Sequence, residues 1–128
     1  MRLVLATAAL LMSSSALYAQ STLMLYTSQS PEIAQQTVDA FMEKNPDIKL
    51  EWMRNGTSQL MNILTAERQA GAVKADVLLV ADAINLGILK KDGQLLAWPE
   101  APVENIDSKL YDQDKTFFGT KLSTTGIV

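Results

Sequence analysis

Apolar residues in this chain fall into short runs, and each run passes through a small polar junction into a helical pattern. Residues 23–27 (Leu-Met-Leu-Tyr-Thr) form a short apolar run, as expected of a strand buried on both faces. Ser28-Gln29-Ser30 follows, with Ser30 placed to act as N-cap and Pro31 at the first helical position, where its fixed φ and missing N–H are tolerated. The next helix carries Ile33, Thr37, Val38, Phe41 and Met42 on one face and is predicted to end before Asn45-Pro46. Residues 48–52 then alternate apolar and charged, which marks a strand with one wetter face, near a sheet edge.

Arg54-Asn55-Gly56 turns the chain, and Thr57 or Ser58 is expected to cap a second helix running to about Ala70. That helix has a modest apolar face of Leu60, Ile63 and Leu64, and Gly71 suits the left-handed position after its end. Residues 76–80 (Asp-Val-Leu-Leu-Val) are a continuous branched run, predicted to be a central parallel strand. Asp82 is placed to cap a third helix with Ala83, Leu86 and Leu89 on one face, stopping near Lys91-Asp92-Gly93. Leu95 and Leu96 suggest a short strand before Trp98-Pro99. Residues 100–114 read as connection with one helical turn, and residues 117–120 and 127–128 as extended segments around Ser123-Thr124-Thr125-Gly126. Strand–helix–strand units with short loops imply right-handed crossovers, hence an α/β fold with an open, mainly parallel sheet and helices on both faces.

Composition narrows the picture. The chain has 128 residues, is 48% hydrophobic and 20% charged, and carries a formal net charge of −3, as befits one globular domain or part of one. No basic stripe supports a nucleic-acid partner. Residues 1–19 fit a signal peptide: Arg2, an apolar stretch from Leu3 to Met12, then serines and small residues near Ala16 and Ala19. Residues 20–128 are then the exported domain, expected in a bacterial periplasm. The apolar stretch is too short to span a bilayer about 30 Å thick.

The inventory of reactive groups argues against an enzyme. The chain has no His and no Cys, so Ser-His, Cys-His and thiolate or imidazole metal chemistry lack their parts. No glycine-rich phosphate motif follows a strand, and no pair of carboxylates stands out as acid and base. No cofactor is called for.

Parallel strands place their exit loops along one sheet edge, where helix N-termini offer free N–H groups and the positive ends of their dipoles. The candidate ligand-binding residues are therefore Ser28, Gln29 and Ser30; Gly56, Thr57 and Ser58; Asp82; and Thr124 and Thr125. Each also has a simpler role. Ser30 before Pro31 is an ordinary helix cap, Asn55-Gly56 is an ordinary turn, Asp82 is suited to cap its own helix, and the segment at 123–126 suits a solvated turn. It is their convergence on one edge that points to a small polar or anionic solute.

From Leu23 to Val128 the sequence resembles the substrate-binding proteins of bacterial ABC importers, of the ferric-iron and 2-aminoethylphosphonate type. The resemblance rests on Leu25-Tyr26-Thr27-Ser28-Gln29, residues 34–41, Asn55-Gly56-Thr57-Ser58, residues 74–82 (Lys-Ala-Asp-Val-Leu-Leu-Val-Ala-Asp) and residues 122–128 (Leu-Ser-Thr-Thr-Gly-Ile-Val). It implies a type II periplasmic-binding-protein-like first lobe, with the chain truncated before a second lobe that closes over the ligand. It also implies an inner-membrane ABC permease as partner and a monomeric protein.

Ferric-iron members of that group often carry a His in the first loop and an acidic residue after the third strand. Here Ser30 aligns with the first position, and Asp82 lies near the second, with Ala81 the alternative aligned residue. Ferric iron is a hard cation that accepts oxygen ligands, so loss of the His leaves it open. Loops rich in Ser, Thr and backbone N–H favour an oxyanion such as 2-aminoethylphosphonate. Two other readings are an exported hydrolase with its catalytic residues downstream, and a non-functional truncated remnant.

Overall fold

The computed structural model describes residues 20–121; the expected signal peptide at 1–19, and Thr124 and Thr125 with the extended segment at 127–128, lie outside the described residues. Strands β1 (Ser21–Thr27), β2 (Ile48–Arg54) and β3 (Val77–Leu79) alternate with helices α1 (Pro31–Lys44), α2 (Thr57–Gln69) and α3 (Ala83–Lys91). A single 3-10 turn at Ser108–Leu110 supplies the helical turn expected in the long connection.

The helices end where their punctuation predicts. Asn45 closes α1, its N–H donating to the carbonyls of Phe41 and Met42 and its Nδ2 to that of Phe41 at 2.8 Å. Gly71 and Gly93 follow α2 and α3 with φ of 65° and 66°, a backbone region that favours glycine.

The three strands are all parallel, in the order β2-β1-β3. The chain first steps from β1 to one side, then crosses back over β1 to the other. With both crossovers right-handed, reversing the direction of travel must put α1 and α2 on opposite faces of the sheet.

The packing agrees. On one face Leu25 and Leu50 are buried against Val38 of α1, with Leu23, Trp52, Phe41 and Met42 packed around them. Leu23 pairs with Leu50 and Leu25 with Trp52 in register, so these four side chains share that face. On the other face Tyr26 is fully buried and its hydroxyl donates to Glu67 Oε1 of α2 at 2.6 Å, beside the buried Leu60 and Leu64. Glu67 also accepts from the Lys74 N–H through Oε2, so one carboxylate joins α2, the central strand and the approach to β3.

That pair is electrostatically polarised. Burial, then the bond to Glu67, pushes the Tyr26 phenol up to about 12, while the phenol's hydrogen bond draws Glu67 below its usual range.

Three expectations need correction. Among the described strands the run at 76–80 is not the central one: β1 lies in the middle, and β3 is three residues long and borders only β1. An all-apolar run reads the same wherever it sits in the order, and Val77 here is 44% exposed. Leu95 and Leu96 form no strand, and Leu96 is 92% exposed. Finally, α1 turns Ala34, Val38, Phe41 and Met42 to the core, with Ile33 and Thr37 facing outward. Thr37 instead donates its hydroxyl to the Ile33 carbonyl. Among the described residues, no helix is long and apolar enough to cross a membrane.

Candidate functional site

The strand order creates the site. Because the order reverses at β1, the loops leaving β1 and β3 start side by side and diverge to opposite faces of the sheet. The first runs into α1. The second runs into α3, whose end lies on the α2 side, with Arg68 Nη1 3.5 Å from Asp92 Oδ2. A crevice opens between the two loops at the carboxyl edge, the position at which open α/β sheets bind ligands.

A set of hydrogen bonds holds the crevice in shape. The Ser28 N–H donates to the Leu79 carbonyl at 3.1 Å, and Ser28 Oγ accepts from the Ala81 N–H at 3.1 Å. The hydroxyl of Thr27, which is fully buried, also donates to the Leu79 carbonyl and accepts from the Gln29 N–H. From the other side, Arg54 Nε donates to the Gln29 carbonyl at 3.2 Å, and the Asn55 N–H to that of Thr27. The first loop is thus clamped between the ends of both neighbouring strands. Ser28 serves the scaffold as well as lining the crevice.

The other predicted residues take distinct parts. Ser30 occupies the N-cap position with extended φ and ψ, but its side chain makes no capping bond. Its hydroxyl, after Glu32's own N–H, instead helps hold the Glu32 carboxyl below the usual range. The second helix begins one residue earlier than expected: Gly56 is its N-cap, and Thr57 and Ser58 form its first turn. No acidic side chain occupies that turn.

Asp82 is a helix cap. Its Oδ1 accepts from the N–H groups of Ile84 and Asn85, and its Oδ2 from Asn85 Nδ2. Both oxygens are committed to α3, so the carboxylate acts chiefly on its own helix. Asp82→Ala is expected to destabilise the protein by about 1 kcal/mol. The shift should appear in the urea midpoint, with Asp82→Asn retaining most of the stability.

A cavity of about 820 Å³ lies against this crevice. Ser28, Gln29, Ser30 and Asp82 line it, but Gly56, Thr57 and Ser58 do not. They follow β2, which lies beyond β1 on the side away from β3. Much of the remaining lining comes from a segment in which no site residue was predicted, and it includes Lys109, Tyr111 and Lys121. That stretch has no hydrophobic period to place it; its paired aromatics Tyr111 and Phe118 were the signal that could have been read.

This wall is built by cross-links. Tyr111 and Phe118 form an isolated antiparallel bridge with rings stacked at 6.4 Å, and Trp98 meets Phe118 edge-on at 6.2 Å. The Gly119 N–H donates to the Leu110 carbonyl. Lys90 of α3 reaches across with Nζ 2.6 Å from Asp112 Oδ1 and 2.7 Å from Asp114 Oδ2. The Lys90 bond, with help from Thr116, lowers the Asp112 carboxyl to about 2. A second cavity of about 480 Å³, between β3, α3 and the segment at 116–120, is mainly apolar and offers few groups to orient a polar solute. Among the described residues, no three His, Cys, Asp or Glu side chains group to hold a metal ion.

Comparison with known proteins fits this geometry. A family model described as bacterial extracellular solute-binding protein matches residues 27–124. Among solved structures, the chain is similar to iron-bound HitA from Pseudomonas aeruginosa, with a TM-score of 0.65 at 23% identity. The match covers 74% of this chain and 30% of that one, so this chain spans well under half the length of that relative. A search of curated proteins found no match.

Proposed function

The chain belongs to the bacterial extracellular solute-binding protein family, and from that premise we propose that it forms the first lobe of a receptor for a small oxyanionic solute. The receptor works outside the cytoplasm and delivers its solute to an ABC permease in the inner membrane. Residues 1–19 act as the export signal and residues 20–128 as the lobe. The favoured solute is an organophosphonate such as 2-aminoethylphosphonate.

One observation carries the reading: two loops leaving adjacent parallel strands are pinned together by Ser28 and Thr27 at the mouth of a large cavity. A pinned crevice presents hydroxyl, amide and backbone groups at fixed positions, so little order is lost when a polar solute is gripped. Ser28, Gln29 and Ser30 supply contacts from this lobe, with Thr124 and Thr125 as further contacts. Gly56, Thr57 and Ser58 act at the rim, where the α2 N-terminus favours negative charge. A solute that touches both lobes binds the closed form more strongly, and that difference drives closure and signals loading to the permease.

Ferric iron is the second reading. The fold-level likeness to an iron-bound protein motivates it, and its ligands would be oxygen donors. Family membership favours a binding protein over an exported hydrolase.

Calorimetric titration of the full-length protein with 2-aminoethylphosphonate, inorganic phosphate and a ferric chelate tests the assignment. Saturable binding of the phosphonate, with weak or absent uptake of iron, is the expected result. Uptake of iron alone would transfer the assignment to the second reading, and binding of none would sink both.

A further inference from the structure

We propose that Lys109 and Lys121 set the charge of the solute accepted by the 820 Å³ cavity, making it selective for an anion. The inference rests on the receptor reading above and deepens it.

Four charged side chains line the cavity: Asp82, Lys109, Asp112 and Lys121. The two acids are already answered. Asp82 is bonded by two backbone N–H groups and the Asn85 amide at the start of α3. Asp112 is bonded by Lys90 and Thr116. Among the described residues neither Lys109 nor Lys121 enters an ion pair, although ion pairs form around Lys49, Arg68 and Lys90. Two uncompensated ammonium groups are therefore the excess charge on this wall.

Other acids nearby do not cancel them. Glu32 is exposed in the first turn of α1, Asp114 is 72% exposed and turned to Lys90, and Asp107 is exposed and accepts from the Lys109 backbone N–H; none of the three lines the cavity. A solute entering here meets hydroxyls and amides from the first loop and two cations from the other wall. Both donor sets suit phosphonate or phosphate oxygens and repel a bare cation. Position matters as well as charge. Lys109 sits in the 3-10 turn that Asp107 caps through the Lys109 N–H, and Lys121 follows Gly119, which is anchored to Leu110. Lys109 thus stands within the cross-linked wall, and Lys121 lies two residues beyond its anchor at Gly119.

The test uses the full-length protein and two probes, 2-aminoethylphosphonate and inorganic phosphate, with wild type compared with K109A/K121A, K109E/K121E and K109R/K121R. Both lysines are exposed, and unchanged melting midpoints would show that the variants fold. The alanine pair is expected to bind the tighter probe about 10- to 100-fold more weakly, and the glutamate pair more weakly still. The arginine pair should stay within a few-fold of wild type. Raising the salt concentration should weaken wild type more than the alanine pair. Wild-type binding that the alanine and glutamate pairs leave within two-fold would overturn the role of the lysines while sparing the receptor reading. Failure of wild type to bind either probe would instead remove the oxyanion reading on which the inference rests.

Discussion

Tyr26→Ala is expected to lose about 3–5 kcal/mol of stability, a large share of the roughly 5–15 kcal/mol that holds a domain folded. Tyr26 is fully buried in the central strand, and its phenol holds Glu67 of α2 at 2.6 Å. Removing the ring leaves a cavity between sheet and helix and strips Glu67 of its main partner. Tyr26→Phe separates the two effects. It keeps the ring and deletes only the hydrogen bond, so it should cost about 1–2 kcal/mol.

The pH profile gives the same pair a second signature. The phenol's folded value lies near 12 against an ordinary value of 10.0. Its contribution is full below pH 10 and is lost as pH rises toward 12. Glu67 is shifted down from 4.5, so its contribution is present above that value and is lost as pH falls below it. Urea midpoints measured across pH should therefore show a plateau between about 4.5 and 10 with a fall on each side. In Tyr26→Phe the alkaline fall should shrink and the acid fall soften. An alkaline limb identical in both proteins would show that the phenol is not held as described.

Gly119→Ala should be the next most damaging change. A Cβ at this position would lie 2.8 Å from the Leu110 carbonyl oxygen, and the neighbour is backbone rather than a side chain that can rotate away. The expected cost is about 1–3 kcal/mol, as for other overpacked sites. The damage also has a location. Leu110, Tyr111 and Gly119 all line the large cavity, so relief of the clash must displace the wall that carries Lys109 and Lys121. Solute affinity should fall along with the urea midpoint. A variant with wild-type affinity and midpoint would mean that this contact opens without consequence.

The sequence made local structure legible and left strand order hidden. Ser30-Pro31, Asn45-Pro46, Gly71 and Gly93 punctuate the helices through backbone constraints that act over a few residues, and the helices start and stop there. Strand order depends on which side of β1 each crossover lands, and no local signal encodes that. The apolar run at 77–79 therefore looked central, yet it borders only β1 among the described strands.

The same gap explains the site. Ser28, Gln29, Ser30 and Asp82 converge because β1 and β3 are neighbours, whereas Gly56, Thr57 and Ser58 follow the strand on the far side. Asp82 was readable both as cap and as contact, and its three bonds make the cap its main task. Lys109 and Lys121 had no periodic pattern around them, since their wall is held by turns, an isolated bridge and the Lys90 ion pairs.

The reversal of strand order at β1 also bears on how the molecule comes to be folded. Ser21 must find Ile48 to register β2, while Leu25 must find Val77 to register β3, a loop roughly twice as long. Doubling a flexible loop adds only about 0.6 kcal/mol of closure entropy, so the second pairing is not much costlier than the first. It is, however, necessarily later in synthesis. The strand that ends up in the middle is made first and must wait, with one edge bare, until β3 emerges. Thr27 is where that wait ends: its buried hydroxyl bonds to Leu79, so the crevice takes shape only when the last of the three strands docks.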